Sequence, residues 1–138
     1  MTVDEKKKYL RQYRYLEGRV NSLCDELAKW RSLAERITPV LSDMPKGSGG
    51  DRLPRTVEKI IELEQELDAQ IDQMIDTRRE IEKAVAAVDD QRLRDVLEQH
   101  YIRGLTWGDV AQIMKIDTRW VYRLHIKALQ KLTIIIHP

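Results

Sequence analysis

The sequence predicts an all-α fold: a long antiparallel helical hairpin, coiled-coil-like in its spacing, followed by a C-terminal helix-turn-helix domain. Three observations predict it. Apolar residues recur in alternating three- and four-residue steps over two long stretches. The turn-forming residues are not spread along the chain, since six of its ten Gly and Pro residues fall between Pro39 and Pro54. Finally, the C-terminal residues fit the small-and-apolar template of two helices crossing at a steep angle. An all-β chain of this size would need turn signals about every 8–12 residues, so the clustering excludes that class.

The first helix is expected from about Asp4 to Ile37. Its seam is Tyr9, Tyr13, Leu16, Val20, Leu23, Leu27, Trp30, Ala34 and Ile37, an unbroken heptad pattern. Gly18 lies off that seam and costs about 1 kcal/mol relative to Ala. Thr38-Pro39 is expected to end the helix, because the residue before proline is pushed out of the α region. Residues 38–54, TPVLSDMPKGSGGDRLP, read as a loop with a KGSGG tip. A second helix is expected from about Arg55 to Val88, with Val57, Ile60, Glu64, Leu67, Ile71, Met74, Arg78, Ile81, Val85 and Val88 on its seam. Glu64 and Arg78 are polar at seam positions; either they fix register, or the stripe rotates and both reach water, with Leu63 and Ile75 sharing the burial.

The two helices carry opposite charge. Residues 1–36 hold nine basic and six acidic side chains, net +3, whereas residues 57–88 hold four basic and nine acidic, net −5. The contrast suits an antiparallel pair. Each helix is about 50 Å long at ~1.5 Å per residue, and two alone leave the seams under-covered. Residues 1–88 are therefore expected to be an oligomerisation region, with a dimer favoured.

Residues 89–138 form the second expected domain. Asp89-Asp90 caps a helix whose inner side carries Leu93, Val96, Leu97, His100 and Tyr101, and Gly104 ends it. Thr106 caps a short helix, WGDVAQIM. Asp117 or Thr118 caps the last one, expected to run to about Ile134. With Trp107 as position 1 of a helix-turn-helix, the small residue at position 5 is Ala111. The apolar positions 4, 8, 10, 15 and 18 are Val110, Met114, Ile116, Val121 and Leu124. Position 9 favours positive φ and is often Gly; here it is Lys115.

The last helix exposes Thr118, Arg119, Tyr122, Arg123, Lys127 and Lys131. From Thr118 to Pro138 there are four basic residues and no acidic one. A helix dipole attracts cations to its C-terminus, which accounts for Lys127 and Lys131 but not for Arg119 at the opposite end. A basic face with guanidinium groups near the helix N-terminus suits entry into the major groove of double-stranded DNA. Trp107 and Trp120 are expected to be partly packed around the helix pair, with contact to a sugar-phosphate strand the alternative for Trp120. His125 is expected to pack, to face solvent or to meet a phosphate, and His100 to pack in the hinge.

The segment TWGDVAQIMKIDTRWVYRLHIKALQKL, closing on Lys127 to Leu132, resembles region 4 of bacterial sigma factors, which reads the −35 promoter element. With its YLRQYRYLEGRV start and ITPVLSDMPKGSGG loop, the whole chain is similar to small phage and prophage proteins of unknown function that end in such a region and are related to ArpU-type regulators of late phage operons. The resemblance implies DNA contacts from Thr118, Arg119, Tyr122 and Arg123. It also implies that Arg119 replaces an acidic sigma contact, so the element read is not the sigma one, and no sigma region 2 precedes the segment.

Composition narrows the rest. The chain has 138 residues, 42% apolar and 34% charged, enough for a modest core and too apolar for disorder. A net charge of +1 names no partner. The N-terminus lacks the apolar run of a signal peptide, and no apolar run is long enough to span a membrane. The expectation is a protein without membrane contact in the bacterial host cytoplasm. Cys24, the one cysteine, reads as a free buried thiol suited to a reducing compartment. The three histidines lack metal-ligand spacing, and neither a metal nor a cofactor is expected. There is no nucleophile-base pair or phosphate loop, so no enzyme is expected.

The leading expectation is a sequence-specific DNA-binding protein, a phage or prophage transcriptional regulator. Two alternatives stay open. One is an adaptor that docks RNA polymerase or another protein. The other is a small terminase-like DNA-packaging protein.

Overall fold

The computed structural model describes residues 1–42 and 52–135. It is helical with no strand among the described residues. Five helices follow in order: α1 (Val3–Ser42), α2 (Arg52–Ala86), α3 (Gln91–Leu97), α4 (Trp107–Met114) and α5 (Thr118–Lys131). α3 runs on without a break into a π-helical turn, Glu98–Ile102.

The seam expected on α1 is the buried one: Tyr13, Leu16, Val20, Leu23, Leu27 and Ile37 are all buried. Two boundaries move. α1 continues through Pro39 to Ser42 instead of stopping at Thr38-Pro39. A proline this near a helix end removes only one hydrogen bond, and the ring's fixed φ is already helical. α2 starts at Arg52, which puts Pro54 in the first turn, where the missing N–H would have had no partner. The KGSGG tip lies outside the described residues.

On α2 the stripe rotates. Leu63 is buried in place of Glu64, and Val57 and Ile75 are exposed. Glu64 instead accepts from Arg31 at 2.9 Å, and Arg78 donates to Glu82 and to Tyr13. The two polar seam positions thus reach the rim of the helix pair, where each finds a charge partner. Ile75 does not share the burial.

The described chain divides into two compact units. Residues 17–73 form one. Its core is Leu23 and Leu27 of α1 against Leu63 of α2, with Trp30, Ile60 and Leu67 around them. Arg19 pairs with Glu66 and Arg31 with Glu64, so partner numbers fall on α2 as they rise on α1, and the helices run antiparallel. Cys24 is exposed, contrary to the expected buried thiol. It follows Leu23 by one residue, about 100° around the helix from the seam.

Residues 1–16 and 74–138 form the other unit. Its core joins Leu10 and Tyr13 of α1, Ile81 and Val85 of α2, Leu93, Leu97 and Tyr101 of the third helix, and Ala128 and Leu129 of α5. Lys6 Nζ donates to the carbonyl of Leu129 at 2.7 Å, satisfying a carbonyl in the last turns of α5. α5 stops at Lys131 instead of Ile134, and Leu132 is already extended at φ −68°, ψ 127°. The β-branched run from Thr133 disfavours helix. Ile134 packs on the core and Ile135 is exposed.

Candidate nucleic-acid interface

The helix-turn-helix is assembled from local signals. Asp90 caps α3 by accepting from the N–H of Arg92 at 2.9 Å. Gly104, at φ +73°, lets the chain leave the π-helical turn, and its Cα faces the Arg14 guanidinium so closely that a Cβ would make the arginine shift. Thr106 caps α4 by accepting from the N–H of Asp109 at 3.1 Å. α4 ends at Lys115, whose φ of 58° is the positive value the turn demands. The N–H of Ile116 returns to the carbonyl of Ala111 at 3.1 Å, closing that end. Asp117 then caps α5 by accepting from the N–H of Arg119 at 3.1 Å. Of the two expected caps, Asp117 serves, and Thr118 is the first helical residue.

Packing holds the two helices at their crossing. Val110, Ala111 and Val121 are buried together with Val96 of α3, and Met114, Ile116 and Leu124 pack around them. All six template positions thus lie where two crossed helices need them. Ala111 is 6% exposed, as the tight crossing requires.

Beneath α5 lies an aromatic cluster. Tyr101 Oη and His125 Nε2 are 2.6 Å apart and share a buried hydrogen bond. His100 stacks on Trp107 at 3.7 Å between ring centres, and its Nδ1 lies 2.8 Å from the carbonyl of Leu105. Burial pushes the His125 imidazole down to about 4 and the Tyr101 phenol up to about 12. Burial also lowers His100. At neutral pH His125 is therefore an uncharged packing residue. Of its three expected roles, packing is the one the structure gives.

The outer side of α5 carries the sequence-predicted residues. Thr118 is half-buried, and Arg119, Tyr122, Arg123, Lys127 and Lys131 are exposed. The Arg119 side chain is 87% exposed and lies 3.7 Å from Asp117 Oδ2. The Arg123 guanidinium sits 5.2 Å from the centre of the Trp120 ring. Tyr122 leans on Trp107 at 5.8 Å. Trp107 is partly packed as expected, whereas Trp120 lies on the outer face, 53% exposed, with Arg123 over its ring. Its place beside Arg123, three residues apart on a helix, was the available signal. Among the described residues no cluster of His, Cys, Asp and Glu could hold a metal ion, and no helix is long and apolar enough to cross a membrane.

This face can do three things chemically. Two guanidinium groups near a helix N-terminus offer paired donors to planar acceptors. Two lysines further along offer point charges. One indole stabilises a guanidinium from below.

No curated protein and no solved structure matches the chain. Residues 90–133, from the cap of α3 to just past the end of α5, match the family model for sigma-70, region 4.

Proposed function

We propose that the protein is a sequence-specific DNA-binding regulator of transcription, belonging to a phage or prophage, whose α5 enters the major groove. Arg119 and Arg123 read base edges, Thr118 and Tyr122 contribute smaller site-specific contacts, and Lys127 and Lys131 hold phosphates. One observation carries the reading: the region 4 match coincides with a complete helix-turn-helix whose outer helix is basic and acid-free from Thr118 onward. The hairpin helices supply self-association, with a dimer favoured. Val57 and Ile61, both exposed on α2, support a second copy. Contact with RNA polymerase is a further partner of the same reading.

The experiment has two stages. Genomic fragments retained by the purified full chain are sequenced to obtain a preferred site. Variants are then titrated with salt on that site and on a scrambled duplex. Arg123→Ala should cost about 1–3 kcal/mol on the preferred site and little on the scrambled one. Lys127→Ala should weaken both by a similar factor and reduce the salt slope by about one unit. Equal losses on both duplexes for Arg123→Ala would make it a backbone anchor, and the readout assignment would be wrong. DNA binding unaffected by any of these variants would favour the adaptor reading.

A further inference from the structure

The positive charge near the recognition helix is not confined to the residues matched by the family model. Lys7, Arg11 and Arg14 recur at i, i+4 and i+7 on α1, which places them on one face. Leu10 and Tyr13, between them in sequence, are buried against α3 and α5, so the stripe is held beside the helix-turn-helix within one compact unit. Two contacts and two electrostatic effects locate it. Lys6, next to the stripe, bonds the carbonyl of Leu129 in α5. The Arg14 guanidinium rests against Gly104, in the loop that leads into α4. Arg11 and Arg14 are close enough to His100, and Lys7 and Arg11 to His125, to oppose protonation of each ring.

A line of rings joins this stripe to the outer face of α5. Tyr122 meets Trp107 at 5.8 Å, Trp107 meets His100 at 3.7 Å, and the charges of Arg11 and Arg14 act on His100. Together these two steps are shorter than the ~12 Å width of the major groove. The ring on which the stripe's charges act thus lies within one groove width of the exposed face of α5. Lys7 and Arg11 form no ion pair with any described residue, so both charges remain available to an anion.

We infer that Lys7, Arg11 and Arg14 of α1 form a second, sequence-independent contact with the DNA backbone, flanking the groove that α5 enters. This inference rests on the DNA-binding reading and extends it to a part of the chain outside the region 4 match. The hairpin is then part of the DNA-binding surface as well as an assembly element. Arg14 both seals the Gly104 loop and borders the backbone path, so Lys7 and Arg11 are the positions to test.

The full chain is titrated over a range of salt concentrations against a random-sequence duplex about three helical turns long. The Lys7→Gln/Arg11→Gln variant should lower the salt slope by about two units. A slope of about −0.9 per neutralised phosphate, carried from ~1 M to ~0.15 M salt, corresponds to roughly fivefold in affinity for each charge removed. The charge-preserving variant Lys7→Arg/Arg11→Lys should keep the wild-type slope. If the doubly neutralised chain does not fold, judged by thermal melting, Arg11→Gln alone should lower the slope by about one unit. An unchanged slope in a folded variant, with wild-type binding intact, overturns the α1 contact and leaves the α5 reading standing; the stripe would then serve an acidic protein partner. If the wild-type chain shows no salt-dependent binding to the random or the selected duplex, the DNA reading and this inference fall together.

Discussion

His125 couples the fold of the C-terminal unit to pH. Its imidazole is 5% exposed and bonded to Tyr101, and its pKa in the folded chain is about 4, against an ordinary value of 6.5. The unfolded chain therefore binds a proton between these values that the folded chain does not. Stability rises with pH across that window and is lost as pH falls through it. The contribution is complete above about pH 6.5. Linkage gives a loss of about 2 kcal/mol on going from pH 7 to pH 5, and about 3 kcal/mol by pH 4. Carboxylates titrate over the lower part of this range too, so the comparison must be with a variant. His125→Phe keeps a ring in the site and removes the titration. It gives up the bond to Tyr101, which lowers stability at every pH. Urea unfolding of both proteins from pH 7 to pH 4 should show wild type losing about 2–3 kcal/mol more than His125→Phe. NMR titration of the His125 ring gives the folded pKa directly. A midpoint near 6.5, or parallel pH dependence in the two proteins, would refute the buried neutral histidine.

Three further outcomes are expected. Ala111→Leu should destabilise by about 1–3 kcal/mol in thermal melting, because Val96, Val110 and Val121 leave no room for the added carbons; an unchanged melting temperature would place Ala111 outside the helix crossing. Gly18→Ala should stabilise by about 0.5–1 kcal/mol, since a Cβ there meets nothing within 4 Å and the position is inside a helix; a loss on chemical unfolding would mean that another surface covers Gly18. Leu23→Asp should disrupt the helix pair at residues 17–73, because it puts an unpaired charge against Leu27 and Leu63 at a cost of several kcal/mol. Light scattering over a concentration series reads the effect on assembly, and a wild-type monomer at every concentration would sink the self-association.

What could be read from the sequence follows from where the information lies. The α1 seam is periodic and unbroken, so one strong signal places most of its core positions. The helix-turn-helix was legible because a steep crossing admits few residue types at fixed spacing, and each cap is a short-range matter of a side-chain oxygen and a nearby N–H. Lys115 shows that the template outranks propensity: the turn imposes positive φ on a lysine. On α2, Leu63 and Glu64 are adjacent, and which faces inward is settled across the pair, where Leu63 packs on Leu23 and Leu27 and Glu64 meets Arg31 at the rim. Leu10 escaped because it lies off the heptad count and is buried by α3 and α5, not by α2 alone. The Tyr101–His125 bond joins residues on different helices, and no local pattern announces it. The same holds for the stripe on α1: its charges are plain in the sequence, but their place near His100 and His125 is a fact of tertiary packing.

The π-helical turn at Glu98–Ile102 gives this stretch an exact length requirement. A wider turn accommodates one residue more than an α-helix would over the same path, and here it leaves the neighbours Tyr101 and Ile102 both facing inward. Losing a single residue from it would restore ordinary helix over the same path and remove one of the two inward places, either that of Tyr101, with its bond to His125, or that of Ile102. Relatives of this chain should therefore tolerate exchanges of side chain here more readily than any change in the number of residues, although the segment contains no motif that would mark it out.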